Sequence, residues 1–282
     1  MSDSSSDITQ NSHSNASSWW YGNIIPVVVN CSFQNRVNPP PWFEENHQRE
    51  TLKPVRKTVY RNNKKLDGQS LPKISVSNMR SLFPKLENYK NDILQREIGL
   101  SILSEVWEKK DKKKHKLEIE KMLQLEGLKY ISTPRPSSKR GGGCAIVANQ
   151  SLFTLEKIDV AIPTSVEVTY GLLRTKNANA KYKEIIAVAF YSPPKSRKKM
   201  QLLDHIIATS HVLLTRFPKA VLVIGGDRNE MSITPLLDSI PKLRQIVTKN
   251  TCNGKVLDVL MINIPEQYPS PQIVPPVPAD NP

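Results

Sequence analysis

The sequence predicts an α/β protein with mixed β-sheets. Three observations carry this. Short runs of strand length, alternating or wholly apolar, recur between residues 73 and 263. Longer segments between some of them repeat apolar residues at helical spacing. The two kinds of segment do not follow a strict βαβ alternation, which argues against a purely parallel sheet. A chain of 282 residues suits one large domain, or a domain with a tail.

The elements follow in order. Residues 1–72 open on a Ser/Asn/Asp-rich stretch and continue through "NPPPWFEENHQRE" into "KPVRKTVYRNNKK". Periodicity is poor and turn formers are frequent, so this part reads as a disordered or extended arm. Its aromatics Trp19, Trp20, Tyr21, Trp42 and Phe43 either form a partner-binding motif or pack on the domain. "KISVSNMR" (73–80) alternates as a strand does, and "KLENYKNDILQREI" (85–98) spaces Leu86, Tyr89, Ile93 and Leu94 as a helix face. "GLSILSE" (99–105) is a strand. "KKDKKKHKLEIEKMLQLEG" (109–127) begins basic and becomes helical, ending near Gly127. "GGCAIVAN" (142–149), "VEVTYGLLR" (166–174) and "EIIAVAFY" (184–191) are strands. The longest helix is "KKMQLLDHIIATSHVLLTRF" (198–217). Strand 220–226 follows it, and "KVLDVLMIN" (255–263) is the last. Beyond Ile264, seven prolines in eighteen residues make residues 265–282 an extended, proline-rich tail.

Charge narrows the function. The 40 Lys and Arg against 26 Asp and Glu leave a formal net charge of +14, which favours a polyanionic partner, nucleic acid before membrane. The three cysteines, Cys31, Cys144 and Cys252, are far apart, so neither a zinc module nor a disulfide framework is supported. The polar, acidic start lacks a signal peptide's basic end and apolar core, and no apolar run approaches the length of a membrane span. An intracellular protein, nuclear or cytoplasmic and without a membrane partner, is expected.

The stretch "VLVIGGDRNE" (221–230) drives an apolar strand into Asp227, Arg228, Asn229 and Glu230. Polar groups just past a buried strand stand on a rigid scaffold at the edge of a cleft. Other strands end the same way. Strand 73–78 ends at Asn78 with Arg80 after it, and strand 99–104 leads to Glu105 and Trp107. Strand 184–190 leads to Tyr191, and Asp258 lies in the last strand. Convergence of these ends would gather three carboxylates, two amides and a phenol. Oxygen donors with few histidines suit a hard divalent cation, Mg²⁺ or Mn²⁺. A metal, phosphate-holding amides and a basic surface make phosphodiester hydrolysis the natural reaction.

The motifs "SNMRS", "LSEVW", "RGGGCAIVAN", "VAFYSPP", "GGDRNE" and "VLDVLMIN" occur in the order seen in the endonuclease/exonuclease/phosphatase superfamily. Over residues 73–264 the chain most resembles the endonuclease domain of non-LTR retrotransposon polyproteins, which nicks target DNA. The resemblance implies a four-layered α-β-β-α sandwich with two mixed sheets. It implies that Asn78 holds the site and the scissile phosphate, and that Glu105 is the main metal ligand. By the same resemblance Tyr191 stands near the phosphate, Asp227 orients or deprotonates water, Asn229 polarises the phosphate, and Asp258 supports the site. A threonine before the last strand, Thr248 or Thr251, also matches. The superfamily pattern closes with a Ser-Asp-His motif on a final strand, and this chain has none. None of His13, His47, His115, His205 and His211 is at the matching place. The expectation is a truncated copy with an unpaired sheet edge, impaired catalysis, and a reverse transcriptase in the parent polyprotein but not here. The alternatives are a non-catalytic nucleic-acid-binding remnant, or a repair nuclease or phosphatase of the same superfamily.

Basic groups near these motifs are candidate DNA contacts. Arg135, Lys139 and Arg140 lie on a Gly-rich loop, Lys195 and Arg197 follow Tyr191, and Arg80 follows Asn78. Gly141–Gly143 precede a strand and lack a following Lys-Ser/Thr, so they are not a P-loop. The lysine run at 109–116 reads first as a solvated helix start, and Trp107 as core packing.

Overall fold

A computed structural model describes residues 27–30, 71–108, 113–135, 141–252, 254–268 and 271–280. The strands are β1 (Val27–Asn30), β2 (Ile74–Asn78), β3 (Leu100–Ser104), β4 (Leu128–Thr133), β5 (Cys144–Asn149), β6 (Phe153–Lys157), β7 (Glu167–Thr175), β8 (Glu184–Tyr191), β9 (Val221–Asp227), β10 (Arg244–Gln245), β11 (Asp258–Ile262) and β12 (Pro271–Val274). The α-helices are α1 (Leu86–Gln95), α2 (Lys113–Leu125), α3 (Lys199–Arg216) and α4 (Thr234–Ser239). They build two six-stranded mixed sheets, ordered β12-β1-β2-β3-β5-β4 and β10-β11-β9-β8-β7-β6.

Alternation in the strands sorts the core into three clusters. Val76, Ile102, Ile146, Ala187, Val223 and Leu260 face one another between the sheets. Leu103, Ala145 and Val147, on the outer face of the first sheet, pack against Tyr89 and Ile93 of α1 and Ile119 and Leu123 of α2. Val188, Phe190, Leu222 and Ile224, on the outer face of the second, pack against Leu203 and Ile206 of α3 and Leu236 of α4. The layers therefore run α-β-β-α, as expected. Each large aliphatic side chain held in the middle contributes about 1.5–3 kcal/mol.

The arm and the tail need correction. Val27, Val28 and Val29 are buried, and β1 lies inside the first sheet, parallel to both β2 and β12. Three β-branched residues buried on both faces suit an interior parallel strand, although the surrounding composition hides them. Leu71 is buried in the core between the sheets, and residues 1–26 and 31–70, the aromatics included, lie outside the described residues. The prolines do keep the tail extended, but it is docked. Pro271 opens the edge strand β12, where a missing N–H costs no ladder bond. Val274 and Val277 are buried against the α1 layer. The Asp280 carboxylate accepts the backbone N–H groups of Glu87 at 3.1 Å and Asn88 at 2.9 Å, capping α1 from a distance. The first sheet runs on past β2 through β1 to β12.

Candidate active site

Register places the candidate residues. In the second sheet, Glu167 of β7 pairs with Tyr191 of β8, Tyr191 with Asp227 of β9, and Asp227 with Asp258 of β11. Tyr191 and Asp227 end parallel strands. Glu167 and Asp258 begin strands that run antiparallel to them, so all four fall in one row at one end of the sheet. Partners in a row share a face, and this row is buried. In the first sheet Asn78 ends β2, and Glu105 follows β3 directly.

Asn78 joins the two sheets. Its Nδ2 donates to Glu105 Oε1 at 2.9 Å and to Asp227 Oδ2 at 2.7 Å. Its Oδ1 accepts the Arg80 N–H at 3.2 Å. Asp227 Oδ1 accepts the Asn229 N–H at 2.9 Å, and Asn229 Nδ2 donates to the Ser192 carbonyl at 2.9 Å. Asn78, Glu105, Tyr191, Asp227, Asn229 and Asp258 therefore gather at one cleft. Six of the eight non-glycine residues with positive φ among the described residues lie there or on the loops beside it: Arg80, Ser81, Glu105, Trp107, Lys195 and Asn229. Held left-handed backbone of this kind costs about 1–3 kcal/mol per residue and collects at functional sites.

Three features escape the sequence reading. Trp107 is not core packing, because it is only half-buried and its Nε1 donates to Glu105 Oε2 at 3.1 Å. Glu167 is buried, and its Oε1 accepts from Arg135 Nε at 2.8 Å while its Oε2 accepts the Gly143 N–H at 2.6 Å. The Arg135 guanidinium lies 5.6 Å from the Tyr191 ring centroid. Arg135 is thus fixed beside the site by Glu167 instead of riding a loose loop, while Lys139 and Arg140 lie outside the described residues. Lys85 is the third, its Nζ donating to the Met79 carbonyl at 2.7 Å. Burial and the Arg80 charge lower its pKa, and Glu105 opposes them. A lysine just before a helix gives no sequence sign of lying near Glu105. Lys195 and Arg197 stand exposed on the loop after Tyr191.

Of the two threonines left open by sequence, Thr251 lies against Asp258. Its Oγ1 accepts the N–H groups of Leu257 at 2.9 Å and Asp258 at 3.1 Å. Burial pushes the Asp227 carboxyl up to about 6, against the hydrogen bonds from Asn229 and Asn78 that favour its charge. Burial, then the Asp227 charge, hold Asp258 well above the usual carboxylate range. Neither Asp258 oxygen has a hydrogen-bond partner; the Thr251 hydroxyl does not reach hydrogen-bonding geometry with it. Burial and the charges of Glu105 and Asp227 push the Tyr191 phenol far up.

Among the described residues no three His, Cys, Asp or Glu side chains form a closed metal cage. Mg²⁺ rarely needs one, since it is commonly held by one or two carboxylates with water and substrate phosphate. Glu105 is half-buried, and the Asn78 amide holds it beside Asp227, an oxygen-donor set that fits a hard cation. Of the three described histidines, His115 stacks on Phe83 with ring centroids 4.6 Å apart, and His205 meets the Tyr170 ring edge-on at 5.8 Å. His211 lies on α3.

Two packed mixed sheets between helical layers, with an acidic cleft at their strand ends, define an α/β sandwich. No protein-family model matches this chain, and no curated protein does. Solved structures do. A mannosyl-6-phosphatase from Bacteroides thetaiotaomicron VPI-5482 is 12% identical over 67% of this chain and 84% of its own, with a TM-score of 0.50. An endonuclease/exonuclease/phosphatase family protein from Bacteroides thetaiotaomicron is 12% identical over 67% of this chain and 80% of its own, also at 0.50. The endonuclease domain of TRAS1, a telomere-specific non-LTR retrotransposon, is 13% identical over 67% of this chain and 82% of its own, at 0.41. The chain has the endonuclease/exonuclease/phosphatase fold. No helix among the described residues is long and apolar enough to cross a membrane.

Proposed function

We propose that this chain is a metal-dependent phosphodiesterase acting on DNA, an endonuclease domain of retrotransposon type. The observation that carries the reading is the Asn78 amide bridging Glu105 and Asp227 from opposite sheets. That bridge sets a carboxylate at the mouth of the cleft and a second, deeper one with two fixed hydrogen bonds. The retrotransposon branch rests on the six sequence motifs, and DNA as the partner on the net charge of +14.

Glu105 would hold the Mg²⁺ or Mn²⁺ ion, whose chemistry is to neutralise charge developing on phosphate and leaving oxygen. Asp227, aimed by Asn78 and Asn229, accepts a proton from the attacking water. Burial raises its carboxyl above the usual range, which makes it a stronger base than a free aspartate. Asn229 and Tyr191 bind and orient the phosphate from one wall, and the fixed Arg135 adds positive charge behind Tyr191. A supercoiled-plasmid nicking assay with Mg²⁺ tests this. The parent chain nicks, at a rate that falls as acid protonates Asp227, and Glu105→Ala with Asp227→Ala lowers it at least ~100-fold. Equal nicking by parent and double variant would overturn the proposal.

One observation favours a second reading, a nucleic-acid-binding protein without catalysis. Asp258 has no partner, and the described residues put no imidazole beside it. Salt-sensitive DNA binding with no nicking by parent or variant would select that reading.

A further inference from the structure

Glu108 is a buried carboxylate for which the proposed reaction has no use. It ends the short segment that leaves β3 through Glu105, Val106 and Trp107. We infer that Glu108 and Trp107 are positioning residues that fix Glu105 for its cation, an assignment that rests on the metal-site reading of Glu105. Three sets of contacts support it.

The first set is backbone. Glu105 at φ 52 and Trp107 at φ 60 are both left-handed, one on each side of the buried Val106. Such backbone persists only where its surroundings over-determine it. The N–H groups of Val106 and Trp107 donate to the carbonyls of Gly143 at 3.3 Å and Gly142 at 2.9 Å. The carbonyls of Glu105 and Val106 accept the N–H groups of Ser81 at 2.9 Å and Leu82 at 3.2 Å. The segment is thus clasped between the loop after β2 and the glycine loop before β5. The second set is the anchor at Glu108. Its Oε1 accepts from the Tyr130 hydroxyl, and its Oε2 from the Ser132 hydroxyl at 2.7 Å. Tyr130 and Ser132 stand two positions apart on β4, so they share a face. Two donors on one face fix the place and the plane of the carboxylate. Without it, two buried hydroxyls lose that acceptor. The third set is on Glu105 itself. Asn78 donates to its Oε1 at 2.9 Å, and Trp107 Nε1 to its Oε2 at 3.1 Å. Each oxygen keeps lone-pair capacity for a cation. The indole belongs to the residue next to Glu108, so the anchor on β4 sets where it stands. Contacts that orient a metal ligand in this way typically change metal affinity by about 10–100-fold when removed.

The test reads position first, without metal. In the NMR spectrum of the full chain, the Trp107 indole N–H resonance is the one lost in Trp107→Phe, and Glu105→Ala moves it. The expected result is that Glu108→Ala moves it in the same direction. Glu108→Gln, whose amide engages both hydroxyls, restores it. Ser132→Ala removes one donor far from Glu105, gives a partial shift, and takes the place of Glu108→Ala if that variant does not fold. The second readout is Mn²⁺ binding, followed by electron paramagnetic resonance of the free ion. Glu108→Ala and Trp107→Phe are expected to bind at least tenfold more weakly. A role confined to fold stability would lower the unfolding midpoint and leave both readouts of the folded state at their parent values. Either readout unchanged in Glu108→Ala, where Glu105→Ala changes it, overturns the assignment, and so does an indole resonance that Glu105→Ala fails to move. Mn²⁺ binding that survives Glu105→Ala overturns the metal-site reading instead, and the indole resonance alone then decides whether Glu108 positions Glu105.

Discussion

Gly226→Ala unfolds or severely destabilises this protein, whereas Gly225→Ala one residue earlier is far milder. Gly226 has φ +152, backbone open to glycine and strained for any other residue. A Cβ built there falls 1.9 Å from the Phe190 carbonyl oxygen. That oxygen is backbone of the neighbouring strand β8, so no side chain can move aside. At Gly225 the nearest atoms are the Ile102 side chain at 3.1 and 3.2 Å, which can shift by a few tenths of an ångström. Strain and overlap at Gly226 together cost about 4 kcal/mol, a large part of the stability of an ordinary domain. The consequence reaches the site, because the pair Phe190 and Gly226 is the rung before Tyr191 and Asp227. Urea unfolding measures it. A midpoint for Gly226→Ala equal to that of Gly225→Ala would contradict the account.

The same two glycines show what a sequence can disclose. An apolar run ending in Gly225-Gly226 marks a buried strand with a tight exit, and that strand is β9. Elements with a clean period were legible: β2, β8, β9, α1 and α3 stand within a residue or three of their expected ends. Others were not. Phe153 and Leu155 alternate with exposed Thr154 and Glu156, a strand signal too short to stand out from the turns around it. Val27–Val29 are strand-like only once β2 and β12 are in place to bury them. The acidic cleft was legible for a simple reason. Parallel strands and their neighbours end at one edge, so polar residues after apolar runs meet there. Glu167 was missed because it begins an antiparallel strand, where an acid looks like a solvated end. Its burial exists only through Arg135 and Gly143, both more than twenty residues away in sequence.

Asp258→Asn stabilises the protein at neutral pH, and the gain disappears in acid. The carboxyl is 1% exposed, unpartnered, and register-paired with a second acid, Asp227. Burial and the Asp227 charge raise its folded pKa well above 3.8. A group with a raised folded pKa holds its proton in the folded state after the unfolded chain has lost it. Stability therefore falls as pH climbs from about 4 through the folded value, and it stays reduced above that. The amide has no charge to lose, so the variant does not share the fall. It also brings N–H donors next to Asp227, the kind of contact Asn78 already makes. The expected gain is about 1–3 kcal/mol at pH 8 and near zero at pH 3.5. Thermal unfolding of parent and variant across that range, without added metal, measures it directly. Parallel pH profiles for the two would mean that Asp258 carries no uncompensated cost. Divergent profiles would show an acid kept against stability, the expected mark of a residue retained for what the cleft does. Repeating the series with Mg²⁺ adds a second reading. If the cluster binds the cation through Glu105, the parent gains stability by mass action, and Glu105→Ala removes that gain while leaving most of the Asp258→Asn difference, which burial and Asp227 dominate.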